Sequence, residues 1–454
     1  MCDTALATEN FTSTKKRIFA KNSNREPNEA HSILHIPRMQ HPSNSKLNTT
    51  YIEIPQVETT HEVFLCKPFH IWGAEMGVNE FGVAIGNEAV FTNLPMKRNN
   101  SGLSGMDLIR LALERAKSAV QALYIITELL EEFGQDANGG FKNINFFYHN
   151  SFLIADRTDG YLLETADTFW VAKKVTNFTA ISNGLTIESD YDLSSKFLED
   201  RIQKRLSQTS DNFSFKKSFS DWFYTKLSYG EERRASFSSF AVQKKLSKGK
   251  FESADMIEIL KSHPEFEDTD FEPSKSSMKS ICLHATGITT PNQTNGSLVV
   301  EWDTSDNSQQ PLQILFTGTS TPCLSIFKPF WFGTKNFIEN RSLLPMETYD
   351  ECLWWLHEAI ARRATHDYTS VHSILSPAIK PVQADVFRSI HELKNSSQKE
   401  EIQWKFLKEH VNILKQTGDE LKKEKIGLPK WEKPIFNVYW KKQNSNLDFP
   451  VESI

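Results

Sequence analysis

The sequence has few cysteines and lacks a long apolar run, and both shortages narrow what the protein can be. The five cysteines among 454 residues are widely spaced, odd in number and never arranged as CxxC. Neither a disulfide framework nor a zinc site is therefore predicted. No apolar run approaches the ~18 residues that a membrane span needs, and no charged and apolar signal segment opens the sequence. A cytoplasmic protein without a membrane span is expected.

The sequence also lacks a large excess of positive or negative charge. The formal net charge is -5, and the 52 lysines and arginines are scattered rather than gathered into a basic stripe. This balance does not indicate a nucleic-acid partner. His357-Glu358 lacks the second histidine of an HExxH motif, so no zinc protease and no other cofactor is indicated. The composition, 39% hydrophobic and 24% charged, is that of a globular protein with a large core.

Residue periodicity divides the chain into alternating sheet and helical stretches. The segments "TYIEI", "EVFLCKP" and "FGVAIGNEAVF" predict strands within the first ninety residues. A helical period then runs over 105–133 and stops at Gly134, as one long or two consecutive helices. Turns at Asp159-Gly160 and Ala166-Asp167 predict a second run of strands.

The remaining sequence repeats this alternation. Amphipathic helices are predicted between 190 and 276, and three strands follow in "SICLHATG", "GSLVVEWD" and "PLQILFTGTS". The region from Glu347 to Lys425 is predicted to be helical, and the aromatic tail after it shows no pattern. Strands and helices in this order predict sheet layers covered by helices.

Cys2 stands directly behind the initiator methionine and allows two interpretations. A free cysteine is most often a small buried hydrophobe, and a chain terminus is usually mobile. However, methionine is normally trimmed before so small a residue, and the predicted strand that follows would hold the terminus in place. Trimming would leave a thiol and an α-amine of pKa ~7.7–8 on one residue, and that amine can act as base for its own thiol.

Six stretches of the sequence, in order, resemble the secernins, a branch of the C69 dipeptidase family of N-terminal-nucleophile (Ntn) hydrolases. They are "CDTALA", "IFAKNSNREPNE", "WGAEMGVNEFGVAIGNEAV", "GMDLIRLALERA", "LETADTFWVAKKV" and "FTGTSTPCLSIFKPF". The resemblance implies an α+β fold, a four-layer αββα Ntn-hydrolase sandwich over residues 2–340. A C-terminal helical extension and tail would occupy 341–454. It also implies cleavage of small amides, typically dipeptides, without a cofactor.

The same resemblance implies roles for individual residues. Cys2 would be the nucleophile, with its own α-amine as the base. Lys21 lies in the strand expected beside Cys2, where a cation would lower the pKa of the thiol. Asn87 and Asn183 occupy places where the broader group carries asparagines that bind the oxyanion or the substrate. Each neighbours a strand end and also fits an ordinary turn residue.

Three further positions carry weaker or conflicting signals. Asn24 in "KNSNR" stands where active family members have aspartate; its amide can accept a hydrogen bond from the amine but brings no charge. Arg233 and Arg234 resemble a distant arginine that supports the amine in bile-salt hydrolase-like members. Arg234 is the one predicted for the site, and a solvated helix start is the alternative. His284, two residues after Cys282, either lines the substrate site or is a histidine satisfied within the core.

Three hypotheses follow. In the first, the protein is a cysteine-type hydrolase that cleaves dipeptides or related small amides through a thioester on Cys2. In the second, it is a catalytically weak or inactive interaction protein that regulates secretion or exocytosis, as Asn24 and the helical tail suggest. In the third, Cys2 is converted to a carbonyl group such as glyoxylyl. The predicted partner is a small peptide or amide substrate. The sequence leaves open whether the chain forms a homo-oligomer.

Overall fold

The computed structural model describes most of the chain and shows a mixed α/β structure built on antiparallel sheets. The described residues are 1–201, 213–266, 271–287, 289–305, 312–334, 340–393, 395, 397–429, 433–445, 447 and 449, without the side chains of 199–201. Within them, every pair of neighbouring strands is antiparallel.

In chain order the strands are β1 (Asp3–Ala7), β2 (Lys16–Arg25), β3 (His31–Ile36), β4 (Met39–Gln40), β5 (Lys46–Asn48), β6 (Glu53–Pro55), β7 (Thr59–Thr60), β8 (Val63–Pro68), β9 (Met76–Asn79), β10 (Ala84–Val90), β11 (His149–Ala155), β12 (Gly160–Ala166), β13 (Phe169–Lys174), β14 (Phe178–Ile181), β15 (Leu193–Ser194), β16 (Gln293–Asp303), β17 (Gln313–Phe316) and β18 (Lys328–Phe330). The helices are α1 (Glu9–Thr12), α2 (Gly105–Arg115), α3 (Ala119–Phe133), α4 (Lys196–Arg201), α5 (Phe215–Phe219), α6 (Trp222–Leu227), α7 (Gly230–Lys248), α8 (Ser253–Leu260), α9 (Leu353–His366), α10 (Tyr368–His391), α11 (Ser397–Lys423) and α12 (Pro434–Asn444).

Two sheets form the centre of the structure. One has six strands in the order β14-β1-β2-β16-β17-β18, and the other has eight in the order β15-β13-β12-β11-β10-β9-β8-β3. β1 is an interior strand of the six-stranded sheet, and all five of its residues are buried. A strand covered on both faces is rich in apolar residues, as Ala5, Leu6 and Ala7 are here. Cys2 therefore lies at the end of an interior strand.

Strand alternation distributes side chains between two cores. In β8, Phe64 and Cys66 join the core that also contains apolar residues of the six-stranded sheet, whereas Val63 and Leu65 point to the opposite side. That opposite side packs against α2 and α3. Helix α7 contacts β14 of the six-stranded sheet, and α8 contacts β2 and β16. Each sheet is thus packed against helices.

The predicted helical stretch over 105–133 is confirmed as two helices. α2 begins with a capping box in which the Ser104 side chain and the Asp107 side chain each bind the other's backbone N–H. α3 begins at a second serine cap, Ser118, and ends at Gly134, whose φ of 68° suits a residue without a Cβ. The predicted turns at Asp159-Gly160 and Ala166-Asp167 also lie between paired strands.

Helices α9, α10 and α11 share the core of the six-stranded sheet. α10 and α11 both contact β18 at its edge. Apolar residues of α9, α10 and α11, among them Ile360, Leu375 and Phe406, belong to the same core as Phe19 and Val299 of the sheet. Among the described residues, no helix combines the length and the apolar character needed to cross a lipid bilayer.

Two sequence predictions are wrong. The segment "SICLHATG" is not a strand, because its backbone hydrogen bonds go elsewhere: Cys282 N–H donates to Ser262 O, and Leu283 N–H donates to the side chain of Thr294. The tail is not without pattern, because α12 forms there and buries Phe436 and Trp440, one helical turn apart. Its first residue is a proline, which is tolerated at a helix N-terminus.

One further prediction holds in part, because "TYIEI" contributes only the three-residue β6.

We expect Gly73→Ala to destabilise the fold. A Cβ at Gly73 would lie 2.3 Å from the Met106 carbonyl carbon and 2.4 Å from the Asp107 nitrogen, so the clash is with the backbone of α2. The free energy of unfolding should fall by about 1–3 kcal/mol or more, measured by urea titration. Gly418→Ala is the matched control, because nothing lies within 4 Å of its Cβ and helix α11 should gain up to about 1 kcal/mol. Equal effects of both variants would contradict the packing argument.

Candidate active site at the end of the first strand

Cys2 is buried at the entrance to β1, with 5% of its surface exposed. Its backbone N–H donates to Asn183 Oδ1 at 3.1 Å, and its thiol donates to Glu75 Oε2 at 3.5 Å. The Asn24 N–H points at the sulfur from 3.4 Å, and the Asn24 carbonyl accepts a hydrogen bond from the Met1 amine at 2.6 Å. Both the thiol and the nitrogen of Cys2 therefore have defined positions.

The pairing of β1 with β2 brings these groups together. Thr4 faces Lys21 and Asp3 faces Asn22, so the next residues of β2 reach past the start of β1 toward Cys2. Antiparallel register fixes such neighbours along the whole pair of strands. The expected position of Lys21 beside the strand of Cys2 follows from this register.

Lys21 and the Cys2 thiol affect each other's ionisation. Burial alone would lower the pKa of Lys21, but the negative charges of Cys2 and Glu88 outweigh it and raise that pKa. Burial raises the pKa of the Cys2 thiol; Lys21 lowers it again, while Glu75 raises it further. The Lys21 ammonium donates to the Asn87 carbonyl and lies 3.4 Å from Glu88 Oε1. Lys21 thus offsets only part of the cost of forming a thiolate.

Asn87 lies in β10, but its side chain points away from Cys2. Its Nδ2 donates to Asn150 Oδ1 at 2.9 Å, and a Cβ at Gly105 in α2 would lie 2.7 Å from that nitrogen. The strand neighbours of Asn87 face the six-stranded sheet, because Glu88 binds Thr4 and a Cβ at Gly86 would meet Lys21. Successive strand residues point to opposite faces, so the Asn87 amide lies on the α2 side of its sheet and is not brought to Cys2.

Asn183 uses its side chain to hold the nitrogen of Cys2. Its Oδ1 accepts from that nitrogen and from Arg233 at 2.6 Å, while its Nδ2 donates to Ala89 O at 2.8 Å. The side-chain oxygen thus faces the nucleophilic residue. This geometry fits binding of the terminal nitrogen better than donation to an oxyanion.

Arg233, and not Arg234, lies in this site. Arg233 is fully buried in the first turn of α7, and its Nε donates to both carboxylate oxygens of Asp3 at 2.9 and 3.1 Å. It also donates to Ser182 and to two backbone carbonyls. Arg234 is half-buried, and its carbonyl accepts from Ser238. Successive residues of a helix point about 100° apart, so the side chain of Arg234 points away from the site that Arg233 enters.

The amide of Asn24 is oriented away from the role expected for it. Thr294 Oγ1 donates to Asn24 Oδ1 at 2.6 Å, and Asn24 Nδ2 lies 3.4 Å from Asp3 Oδ2 as a donor. The amide oxygen is therefore occupied by Thr294, and it is the Asn24 backbone carbonyl that binds the terminal amine. A carboxylate at this position would face the carboxylate of Asp3.

The sequence interpretation missed Glu75 and its ion-pair partners. Glu75 Oε1 lies 3.3 Å from Arg25 Nη1, and Arg25 also pairs with Glu29 at 2.5 Å. Burial would raise the pKa of Glu75, but Arg25 and Lys21 outweigh it and lower that pKa, which favours a buried carboxylate anion. In the sequence, Glu75 is a lone acidic residue within "WGAEM", and its partners Arg25 and Glu29 lie far earlier in the chain.

His284 belongs to a second group, together with His263, Cys282 and Cys323. His284 Nε2 lies 3.6 Å from the Cys282 sulfur and 3.4 Å from the Cys323 sulfur. One possible ligand atom from each of the four residues lies within 4.8 Å of the other three. Burial would raise the pKa of the Cys323 thiol, but the hydrogen bond with Cys282 and the charge of His284 lower it well below the usual range. In the described structure, no hydrogen bond joins His284 to Cys2.

The sequence model of Peptidase family C69 matches residues 5–380. The chain belongs to peptidase family C69. As a C69 member it is a hydrolase. The match begins at Ala5 in β1 and extends beyond residue 340 into α10.

The C69 chain is also similar to solved structures. A mutant of the conjugated bile acid hydrolase from Clostridium perfringens is 11% identical, with 74% of this chain and 94% of that chain covered and a TM-score of 0.42. Penicillin V acylase from Agrobacterium tumefaciens is 12% identical, with 72% and 86% covered and a TM-score of 0.37. The N-acylethanolamine-hydrolyzing acid amidase ortholog of Caenorhabditis elegans is 10% identical, with 68% and 95% covered and a TM-score of 0.34.

We expect Arg233→Met to destabilise this hydrolase strongly. The variant removes the guanidinium but keeps an apolar side chain of similar length, so Asp3 loses its buried partner. Breaking a buried ion pair on one side costs about 3–5 kcal/mol, which urea titration would measure. Arg234→Met is the matched control and should stay within about 0.5 kcal/mol of the wild type. A comparable loss in the control would show that Arg233 holds no special place in the site.

Proposed function

We propose that the protein is a cysteine-type Ntn hydrolase that cleaves dipeptides or related small amides through a thioester on Cys2. We place it in the secernin branch of family C69, in the reducing cytoplasm, with its sheets and helices layered as αββα. The cysteines are free, as suits that compartment. The observation that carries the proposal is the buried Glu75 carboxylate 3.5 Å from the Cys2 sulfur.

The position of Glu75 distinguishes between classes of amide substrate. A carboxylate beside the nucleophile raises the pKa of the thiol and so hinders its ionisation. Arg25 pairs with one oxygen of Glu75, and the other oxygen, on the side of Cys2, is placed to bind a cation of the substrate. In a dipeptide the α-ammonium nitrogen is ~2.5 Å from the scissile carbonyl carbon, because only N–Cα and Cα–C bonds separate them. When the sulfur attacks that carbon, Glu75 is within reach of the ammonium group. N-acylated amides lack this charge.

The first half of the reaction needs a free amine on Cys2, which removal of Met1 provides. Asn183 Oδ1 and Arg233 define where that nitrogen lies. The amine takes the thiol proton, and the sulfur attacks the carbonyl carbon to form a tetrahedral oxyanion. The backbone N–H of Asn24, which lies 3.4 Å from the sulfur, is the proposed donor to this oxyanion. Collapse breaks the C–N bond, and the amine of Cys2 returns the proton to the leaving amine.

Hydrolysis of the thioester completes the cycle. The Cys2 amine takes a proton from water as the water oxygen attacks the thioester carbon, and a second tetrahedral oxyanion forms. Collapse breaks the C–S bond, and the Cys2 ammonium returns its proton to the sulfur. The first amino acid leaves as a carboxylic acid, which releases its proton to solvent. Burial lowers the pKa of the terminal amine in the chain that retains Met1. A similar effect on the amine of Cys2 would keep it neutral and able to act as a base.

Asn24 is the observation that favours the second hypothesis, an interaction protein with weak or no catalysis. In the structure, however, Asn24 donates to Asp3 and accepts from Thr294, so the amide fits its surroundings as it stands. Asp3 supplies a carboxylate to the same cluster. We therefore propose that Asn24 is compatible with catalysis. The hydrolysis experiment below separates the two functions.

Removal of Met1 and loss of activity in Cys2→Ala test the nucleophile. The intact mass of the purified protein should lack Met1, and the wild type should hydrolyse members of a dipeptide panel. Cys2→Ala should lower the rate by ~10³-fold or more, because the nucleophile is gone. Cys352→Ala, a buried cysteine at the start of α9, should keep the wild-type rate. Retained Met1, or equal rates for Cys2→Ala and the wild type, would refute the mechanism.

Glu75→Gln tests the binding of the substrate amine. The glutamine keeps the shape of the side chain and removes its charge. For a dipeptide, kcat/KM should fall about 10- to 100-fold, the value of one charge-assisted hydrogen bond. For the same dipeptide with an acetylated amine, kcat/KM should not fall. If both substrates lose the same factor, Glu75 acts only on the thiol or on the packing around Arg25.

A further inference from the structure

The group of two histidines and two cysteines around His284 lies outside the proposed active site. His263 follows α8, Cys282 and His284 lie in the segment 280–287, and Cys323 lies in the single turn Pro322–Leu324. These three parts of the chain are distant in sequence, yet one possible ligand atom from each of the four residues lies within 4.8 Å of the others. Two sulfurs and two imidazole nitrogens thus converge on one point.

The spacing of these atoms fits a tetrahedral zinc centre. With a Zn–S bond of about 2.3 Å and a Zn–N bond of about 2.0–2.1 Å, a tetrahedron separates sulfur and nitrogen ligands by ~3.6 Å. His284 Nε2 lies 3.6 Å from the Cys282 sulfur and 3.4 Å from the Cys323 sulfur. Both distances match the edge of that tetrahedron.

The chemistry of the group also selects the metal. Two thiolates and two imidazoles form an S₂N₂ set, which is typical of Zn²⁺, and no carboxylate of the kind that Mg²⁺ or Ca²⁺ prefers belongs to the set. Two thiolates balance the charge of a divalent ion. Cys282 and His284 are buried, and the ring of Phe271 stacks on His263 at 3.5 Å. Tyr368 packs edge-on against Phe271 and closes the same side.

We propose that His263, Cys282, His284 and Cys323 form a structural Zn²⁺ site. A zinc site with four protein ligands has no open position for a substrate, so its role is to hold the chain. The segment 280–287 needs such a support, because its apolar residues are buried although it joins no sheet. Zinc ligation at Cys282 and His284 would fix both flanks of Leu283.

Leu283 connects the zinc site to the active site. Its N–H donates to Thr294 Oγ1 at 2.9 Å, and that hydroxyl donates to Asn24 Oδ1 at 2.6 Å. The carbonyl of Leu283 accepts from the Thr294 N–H at 2.9 Å. The zinc-bound segment therefore sets the orientation of the Asn24 amide. Asn24 in turn touches the sulfur of Cys2 through its backbone N–H.

Metal analysis of the purified full-length chain tests the site. After dialysis against metal-free buffer, we expect about one zinc per chain by elemental mass spectrometry. Cys282→Ser and Cys323→Ser should each retain about a tenth of that or less, because one thiolate ligand is lost. Cys352→Ser is the matched control and should keep the full zinc content. Co²⁺ in place of zinc should give the thiolate charge-transfer band and the intense visible bands of a tetrahedral site.

Each alternative gives a different result. If the wild type, expressed with added zinc, binds none and shows no tetrahedral Co²⁺ spectrum, the proposal is wrong. A Cys282–Cys323 disulfide in the mass of the unreduced protein would also overturn it. Zinc content that is unchanged in the ligand variants would overturn the proposal as well, because the metal would then be bound adventitiously. Should the ligand variants not fold, the Co²⁺ spectrum of the wild type decides alone.

Thermal unfolding tests whether the bound zinc stabilises the fold. A strong chelator should lower the Tm of the wild type and of Cys352→Ser, because removal of the metal frees the segment 280–287. The same chelator should leave the Tm of Cys282→Ser unchanged. If the Tm of the wild type does not move after its zinc is removed, the metal does not support the fold.

Discussion

The guanidinium of Arg233 contacts most of the segments that surround Cys2. It binds Asp3 in β1, Ser182 and Asn183 after β14, and the carbonyls of Ser228 and Met278. A buried charge is tolerated only when partners compensate for the water it has lost. Every one of these partners must therefore be in place before Arg233 can be buried. The nitrogen of Cys2 is positioned as part of this single arrangement, through Asn183.

The charges around Cys2 also constrain one another. Three buried cations, Lys21, Arg25 and Arg233, are surrounded by four buried carboxylates, those of Asp3, Glu29, Glu75 and Glu88. Burial raises the pKa of Glu29 and of Glu88 to about 7, so these two carboxyls gain or lose a proton near neutral pH. The α-amine is a further titratable cation in the same space. The buried cations and carboxylates thus offset one another's charge around Cys2.

The parts of the structure that depend on local pattern could be predicted from sequence. The period of 105–133 predicted α2 and α3, and the order of strand-like segments predicted β1 next to β2, which places Lys21 and Asn24 near Cys2. The parts that depend on direction or on distant contacts could not be predicted. Arg233 and Arg234 are equivalent in sequence, and only the rotation of α7 on the sheet separates them.

Distant contacts explain the remaining failures. His263 and Cys323 are sixty positions apart, so their spacing in the sequence does not predict that they lie beside Cys282 and His284. The segment that carries Cys282 has the apolar residues of a strand, but its neighbours offer it a side chain and a helix end in place of a strand. Glu75 was overlooked because a lone acidic residue in a buried stretch has a meaning only once its partners are known.

The core shared between the six-stranded sheet and α9–α11 has a consequence for how this protein can change over evolutionary time. Its C-terminal helices supply apolar surface that the sheet cannot do without, so the two cannot be inherited separately or exchanged between relatives as modules. A substitution on α10 or α11 is transmitted through β18 to the sheet that carries Cys2. The packing of the sheet that begins at Cys2 therefore depends on helices at the other end of the sequence.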